Sequence, residues 1–356
     1  MKLRVPFYLL LMFALLMSAT ALSVQAQAPD GESSDADSTS QPVVQPRATL
    51  PPAFASSSGC TPPYGPWQTQ ALLTAPGATG RMYALQNSTA ENGSNRVYRL
   101  ILSDDFGYNW SESPNGLPVP SANVMNIDVD DQNPDTLYVE TEMHFSSQKW
   151  YGFYQWGGSQ WLGRSSELVS NVAISSGESK TIWGTRGSEL VRSDDAGRNW
   201  QPLAASVGSN GMQLGELYAD PHNSGTLYTM GLSEVSHLFR VTPNAQGWEI
   251  LPKPNNNAPT SMLMDQQSGH LYVTSQTGSA TLWRTANARE AAVEQVAWEQ
   301  VAHFDPTWQN VTLLTASQTN DGLQLFVNAT LADGYSRTYR SVGPVSQGIW
   351  EVIIFP

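Results

Sequence analysis

Two stretches of the chain match almost residue for residue: Ser103-Asp104-Asp105-Phe106-Gly107-Tyr108-Asn109-Trp110 and Ser193-Asp194-Asp195-Ala196-Gly197-Arg198-Asn199-Trp200. Both fit the pattern Ser-x-Asp-x-Gly-x-x-Trp. Self-similarity of this kind constrains the fold more than any other feature, because a repeated unit that cannot bury its own apolar face must stack against its copies. The spacing itself describes a strand, a turn and a second strand. Ser and Asp side chains hydrogen-bond turn backbone, Gly supplies positive φ, and Trp opens the next strand as a large apolar wedge.

Weaker copies follow once these two are taken as anchors. Trp161, Trp248, Trp298 and Trp350 fall in the closing position of Trp110 and Trp200, so that successive closing Trp residues lie 39 to 52 residues apart. A second marker precedes each: an aromatic residue shortly after a polar turn, at Tyr83, Tyr138, Trp183, Tyr228, Tyr272 and Phe326. A third is an apolar or aromatic residue followed by Arg, in Tyr98-Arg99, Val191-Arg192, Phe239-Arg240, Trp283-Arg284 and Tyr339-Arg340. The second unit has Phe153-Tyr154 in its place. Each unit thus holds four strands, and four antiparallel strands at this length predict an all-β propeller. Six sets of markers argue for six blades, with Trp67 leaving room for a seventh or for an extra outer strand. Composition agrees: 12 Trp, 28 Gly and 23 Pro with only 14% charged residues suit short strands and tight turns, not helical arrays. The propeller domain is expected over residues 67–356.

The folded part resembles the Asp-box, or bacterial neuraminidase repeat, propellers. Within that group it is most similar to exported bacterial proteins with sialidase-type repeats, including the photosystem II assembly and stability factor type. The resemblance implies a structural role for Ser103, Asp105, Gly107 and Trp110 and for Ser193, Asp195, Gly197 and Trp200, on the outer part of a blade. It is almost silent on activity, because the box occurs in enzymes and in binding scaffolds alike. Sialidases carry an Arg cluster, a Tyr-Glu nucleophile pair and an Asp acid. The family's early Arg-Ile-Pro segment is absent here, and five Arg residues belong to the repeat register. Arg81, Arg96, Arg164, Arg186, Arg198, Arg289 and Arg337 remain unassigned by it. Convergence of Arg81, Arg186 and Arg337 with a Tyr-Glu pair at one end of the channel would favour an enzyme; residues scattered over different faces would not. Xyloglucan hydrolases of this repeat type use two large propellers, and a single one cannot form their cleft.

Three local features carry candidate chemistry. The run Asp128 to Asp135 is rich in oxygen ligands, but it aligns with Asp220-Pro221-His222-Asn223 and Asp265-Gln266-Gln267 and lacks the Gly of a calcium loop, so it reads as a recurring turn. In the strand from Leu137 to Phe145, alternation puts Tyr138, Glu140, Glu142 and His144 on one face. Glu140, Glu142 and His144 could serve acid-base work or hold a divalent ion; the plainer expectation is a water-solvated rim. Then comes Lys149-Trp150-Tyr151-Gly152-Phe153-Tyr154-Gln155-Trp156, where the second unit leaves the repeat pattern. A departure from a consistent template is where function is expected, and Trp150, Tyr151, Tyr154 and Trp156 make this blade a candidate surface for a glycan or a protein. The competing expectation is that the inner aromatics fill space between blades.

Residues 1–28 read as a secretory leader: Lys2 and Arg4, an apolar run from Phe7 to Met17, and small residues for cleavage near Ala26 and Ala28. That run is short of the roughly 20 apolar residues that a membrane span needs. No transmembrane segment is therefore expected after leader removal, and Cys60 is too far downstream for a bacterial lipid anchor. Residues 29–66 are a Ser- and Pro-rich acidic spacer. The single Cys excludes a disulfide framework, and a net charge of −13 argues against nucleic acid as partner. No cofactor is expected. The sequence favours a secreted or cell-envelope propeller that binds a protein or glycan or acts as an assembly scaffold over a sialidase-like glycoside hydrolase acting at one channel end. A lyase or hydrolase built on Glu140, Glu142 and His144 is a third reading.

Overall fold

The structure is a computed structural model that describes residues 67–356, apart from short stretches at 76–79, 90–95, 119–121, 131–132, 146–147, 176–180, 204–212, 233–235, 243–247, 290–291 and 320. The leader at 1–28, the spacer at 29–66 and Cys60 lie outside the described residues.

Six four-stranded antiparallel sheets succeed one another along the chain, each built from one contiguous stretch. Blade 1 holds β1 (Gln68–Thr74), β2 (Met82–Thr89), β3 (Arg96–Ser103) and β4 (Ser111–Glu112). Blade 2 holds β5 (Asn123–Val129), β6 (Leu137–Phe145), β7 (Gln148–Trp156) and β8 (Trp161–Ser165). Blade 3 holds β9 (Ser170–Ile174), β10 (Ile182–Arg186), β11 (Glu189–Ser193) and β12 (Gln201–Pro202). Blade 4 comprises β13 (Gln213–Asp220), β14 (Asn223–Leu232), β15 (His237–Val241) and β16 (Trp248–Leu251). Blade 5 comprises β17 (Pro259–Met264), β18 (Leu271–Thr277), β19 (Ser279–Thr285) and β20 (Glu299–His303). Blade 6 comprises β21 (Asn310–Thr319), β22 (Gly322–Thr330), β23 (Ser336–Ser341) and β24 (Trp350–Val352). The sheets form a six-bladed β-propeller. Among the described residues three single 3₁₀ turns interrupt the strands, and no helix there is long and apolar enough to cross a membrane.

Position within a blade decides what each strand buries. The first strands surround a central channel. The second strands are covered on both faces: Met82 to Gln86 of β2 are all buried, which is why these strands read as near-continuous apolar runs. The outermost strands are short, two residues each in β4 and β12, so little unpaired backbone is left at the edge.

Between successive blades lie six apolar seams, and each aromatic of the second-strand marker belongs to one. Tyr83 packs with Ile127, Leu137 and Val139 of blade 2. Tyr138 and Phe153 meet Val172, Ile182 and Trp200 of blade 3. Trp183 faces Leu217 and Leu227, Tyr228 faces Met262 and Leu271, and Tyr272 lies in the cluster that includes Leu313 and Leu325. Phe326 closes the ring against Leu72, Met82 and Ile101 of blade 1. All six are at most 3% exposed, so the marker identified from sequence is the wedge that each blade drives toward the next.

Among the described residues, no strand is exchanged across the seam between blades 6 and 1. The Thr74 hydroxyl donates to the Ala316 carbonyl (2.6 Å), and the Thr74 N–H donates to Thr315 Oγ1 (3.2 Å). Beyond β24, Ile353 enters the seam and Phe355 packs on Trp110 at 5.1 Å between ring centroids. Trp67 forms no further blade: its ring lies 4.4 Å from the Arg99 guanidinium, which also donates to the Pro356 carbonyl.

The antiparallel order gives the ring two faces. The turns between first and second strands and between third and fourth strands share one, here the box face. Second-to-third-strand hairpins and the links between blades share the other, the hairpin face.

Candidate functional site

The two octapeptides fold into the same hydrogen-bonded turn on the box face. In each, Ser Oγ donates to the Asp carboxylate (2.8 Å) and accepts from the Gly N–H (2.9 Å). Asp105 accepts the Asn109 N–H at 2.8 Å and its side-chain amide at 2.6 Å; Asp195 does so from Asn199 at 2.9 and 2.6 Å. Bonds from Asn199, backbone first, hold the Asp195 carboxyl down at about 2. Burial pushes Asp105 upward, but the bonds from Asn109 and Ser103 outweigh it and leave that carboxyl low as well. Gly197, at φ 79°, lies so close to Phe153 that a Cβ there would stand 2.1 Å from the ring. Trp110 donates its indole N–H to the Gly107 carbonyl (3.0 Å), and Trp200 is buried edge-on to Phe153. The run from Asp128 also serves turns: buried Asp130 accepts the Asn133 N–H, as Asp220 and Asp265 accept the N–H groups of their own turns. No group of three His, Cys, Asp or Glu side chains among the described residues is placed to hold a metal.

The arginines do not converge. Arg81, on the box face, binds Asp104 (2.7 Å) and Asp135. Arg186 and Arg337 lie on the hairpin face, paired with Glu167 (2.5 Å) and Asp333 (3.3 Å). Arg289 bridges to buried Asp220 (2.7 Å), and Arg164 donates to Gln155 (2.9 Å). In four blades the repeat Arg stands directly opposite the second-strand aromatic: Arg192 to Trp183, Arg240 to Tyr228, Arg284 to Tyr272 and Arg340 to Phe326. Arg240, Arg284 and Arg340 then reach a Glu on the outermost strand of their own blade. Blade 1 differs: Leu102 is opposite Tyr83, whereas Arg99 is opposite Gln86. The aligned position in blade 2 is Gln155, not Phe153-Tyr154; it donates to the Tyr138 hydroxyl (3.0 Å) and accepts from Arg164.

The pattern-breaking residues of blade 2 divide into two groups. Tyr154 and Trp156 are half-buried, Trp156 edge-on to Trp161 at 5.4 Å. Glu140 is 4% exposed rather than at a rim. Its carboxylate accepts the Val172 N–H (3.2 Å) of blade 3, and the other oxygen, Oε2, has no hydrogen-bond partner. Burial pushes its pKa to about 8, opposed by bonds from Val172 and Asn126. Alternation along β6 assigns Glu140 a face but does not show how far along the strand the neighbouring blade extends.

Glu142, His144, Lys149, Trp150 and Tyr151 lie together at the far end of the β6–β7 hairpin. Glu142 pairs with Lys149 (2.7 Å) and touches His144 (3.2 Å). The Lys149 bond holds the Glu142 carboxyl below its ordinary value; neighbouring side chains cover it, yet it lies near open water. Trp150 is 54% exposed. Beside this tip is a pocket of about 630 Å³ between blades 1 and 2, bordered by Gln70, Thr89, Arg96, Tyr98, Asn123 and Glu142. Arg96 lies outside the repeat register, Tyr98 belongs to the aromatic-Arg marker and Asn123 to none; β3 carries the first two and β5 the third, and only the ring brings these strands together with Glu142 of β6.

The second concavity is the channel, about 750 Å³, lined by all six first strands. Asp128, Glu216 and Asp265 contribute carboxylates, and no Lys, Arg or His occurs among its described lining residues. The Tyr218 hydroxyl donates to Glu216 (2.5 Å). Glu216 is open to channel water yet enclosed by protein, and this desolvation raises its pKa; burial, then Glu216, raises that of Tyr218.

Fold and seams together define a propeller, and the channel and the blade 1–2 pocket differ in character. No family model and no curated protein sequence matches the chain. Solved structures do. It is similar to the xyloglucanase of glycoside hydrolase family 74 from Xanthomonas campestris, with 15% identity, 82% of this chain and 47% of that chain covered, and a TM-score of 0.52. A Hadza microbial sialidase shares 11% identity, with 79% and 66% covered and a TM-score of 0.50. YCF48 from Cyanidioschyzon merolae shares 14%, with 80% and 87% covered and a TM-score of 0.47. The chain therefore spans about half the length of the xyloglucanase, and at these identities the likeness establishes the β-propeller fold.

Proposed function

We propose that the chain is an exported propeller without catalytic activity of its own, binding a glycan or protein partner through the hairpin-face rim of blade 2. The observation that carries this reading is Trp150, a large aromatic left 54% exposed beside a polar pocket, in a ring whose six second-strand aromatics are buried and whose closing Trp residues are at least half-buried. A rigid ring of this size supplies contact area at little entropic cost. Export rests on the leader-like features of residues 1–28.

One observation favours the sialidase-like alternative: the Tyr218–Glu216 pair in the channel. Against it stand a channel lining without a described cation and arginines held by partners on opposite faces. The decisive experiment passes native envelope protein and immobilised glycans over the full chain, alongside an assay of sialoside hydrolysis. Retention that is lost in a Trp150→Ala, Tyr151→Ala variant with unchanged circular dichroism is the expected result. Hydrolysis that disappears in Tyr218→Phe would replace the binding reading with the catalytic one.

A further inference from the structure

An acidic chain leaves few cations unmatched. With 31 Asp and Glu against 18 Lys and Arg, most guanidiniums here find an anionic or carbonyl partner. Two among the described residues have neither a hydrogen bond nor an ion pair from the guanidinium: Arg96 and Arg198. Arg198 stands on the open surface of the blade 3 box. Arg96 instead borders the concave pocket between blades 1 and 2.

The rest of that pocket narrows what Arg96 can receive. Its volume of about 630 Å³ falls within the range of small-ligand sites. Tyr98 adds a ring and a hydroxyl with no partner, and Thr89, Asn123 and Gln70 add hydroxyl and amide groups. Gln70 is already anchored, its amide donating to the Val124 carbonyl (3.0 Å) and accepting from Asn87 (3.2 Å). Among the described residues of the wall the one carboxylate is Glu142, which is matched by Lys149 at 2.7 Å and therefore opposes an incoming anion little. A planar guanidinium with free donors fits a carboxylate through two parallel hydrogen bonds. Surrounding hydroxyl and amide groups fit a polyhydroxylated ring, and exposed Trp150 on the adjoining strand offers an apolar face to a further unit.

We propose that this pocket binds a carboxylate-bearing saccharide, with Arg96 on the carboxylate and Tyr98, Asn123 and Thr89 on the ring. The proposal rests on the binding reading of blade 2 and specifies the ligand class for it.

Titration calorimetry of the full chain would use three oligosaccharides of equal length: one containing a uronate, one neutral and one bearing sulfate in place of carboxylate. The uronate oligosaccharide is expected to bind best and to weaken with added salt. Arg96→Gln should weaken it by about 10- to 100-fold, the effect of losing hydrogen bonds to a charged group. Arg198→Gln should leave it unchanged. Because Arg96 has no partner to lose, its variant should melt as the parent does, so lost binding reports the site and not the fold.

Equal affinity for uronate and neutral ligands, stronger binding of the sulfated one, or full uronate binding by Arg96→Gln overturns the proposal. Neutral glycan binding that Trp150→Ala abolishes and Arg96→Gln spares would overturn it while leaving the broader reading intact. Absence of any binding, to these ligands and to envelope proteins, would remove both.

Discussion

Blades 2 and 3 are neighbours that share a seam and use their residues in opposite ways. In blade 3 the central hairpin has strands of five residues joined at Gly187, whose φ is 64°, and its third and fourth strands are linked by the Ser193–Trp200 box. In blade 2 the corresponding strands have nine residues each, and the box is replaced by a short turn closed by the Gly157 N–H on the Gln160 carbonyl (2.9 Å). Four more residues per strand carry the blade 2 hairpin about 13 Å further at the usual strand rise. The overhang includes Glu142, His144, Lys149, Trp150 and Tyr151. Blade 3 turns its polar side chains inward to fix a turn; blade 2 spends its extra length on side chains that face water. The contrast places the turn-fixing polar network on the box face and an exposed polar and aromatic rim on the hairpin face, with Gly197 against Phe153 as a close contact between the two blades.

The largest test of this contrast is at that close contact. Gly197→Ala should cost about 2–4 kcal/mol, since it adds a Cβ against Phe153 and strains a residue at positive φ. Denaturant unfolding measures it, and Phe153→Leu in the same chain should recover part of the loss. Parent-like stability of the single variant would mean that the seam is not rigid there.

Next is Glu140. Folding moves its pKa from 4.5 to about 8, so between those values the folded chain retains a proton that the unfolded chain has released. Stability should fall as pH rises through that window, by at most about 1.4 kcal/mol per pH unit, and level off above it. The groups around the carboxyl are Val172 N–H, Asn126 and Asp128, none of them a cation. Glu140→Gln should flatten the slope in pH-dependent melting; an unchanged slope would assign it elsewhere.

A smaller effect is expected at the box itself. Asp195→Ala removes an acceptor for largely exposed donors and should cost about 1 kcal/mol. The parent's advantage should be present above the ordinary Asp range and disappear as pH falls toward 2, the value to which Asn199 holds this carboxyl. Smallest of all, Trp150→Ala should change stability by less than about 0.5 kcal/mol, as for an exposed position. Its effect should appear in ligand retention alone. A large stability loss there would erase the distinction between the two blades.

How much of this was legible from sequence follows the physics of each element. The box octapeptides and the six second-strand aromatics are local signals, and they gave the blade count because each blade must drive one large residue into the next seam. Register was less accessible. Tyr98-Arg99 resembles the other aromatic-Arg pairs, yet in blade 1 it is displaced along β3 from its expected partner, and nothing in a dipeptide reports strand pairing. Glu140 shows a similar limit, because alternation assigns a face without saying what covers it. The pocket was illegible for a different reason: Gln70, Thr89, Arg96, Asn123 and Glu142 come from five strands of two blades. Arg96 could have been noticed only by elimination, as an Arg outside the repeat register.

The seam between blades 6 and 1 is made of the same material as the other five: buried side chains and a few hydrogen bonds, with no strand borrowed across it among the described residues. Covalent continuity is thus a property of five junctions and is dispensable at the sixth. A circularly permuted chain, joined at the present seam and opened between blades 3 and 4, should therefore melt as one cooperative unit. Force applied across β1 and β24 is therefore expected to open this seam first, by separating Ile353 and Phe355 from blade 1.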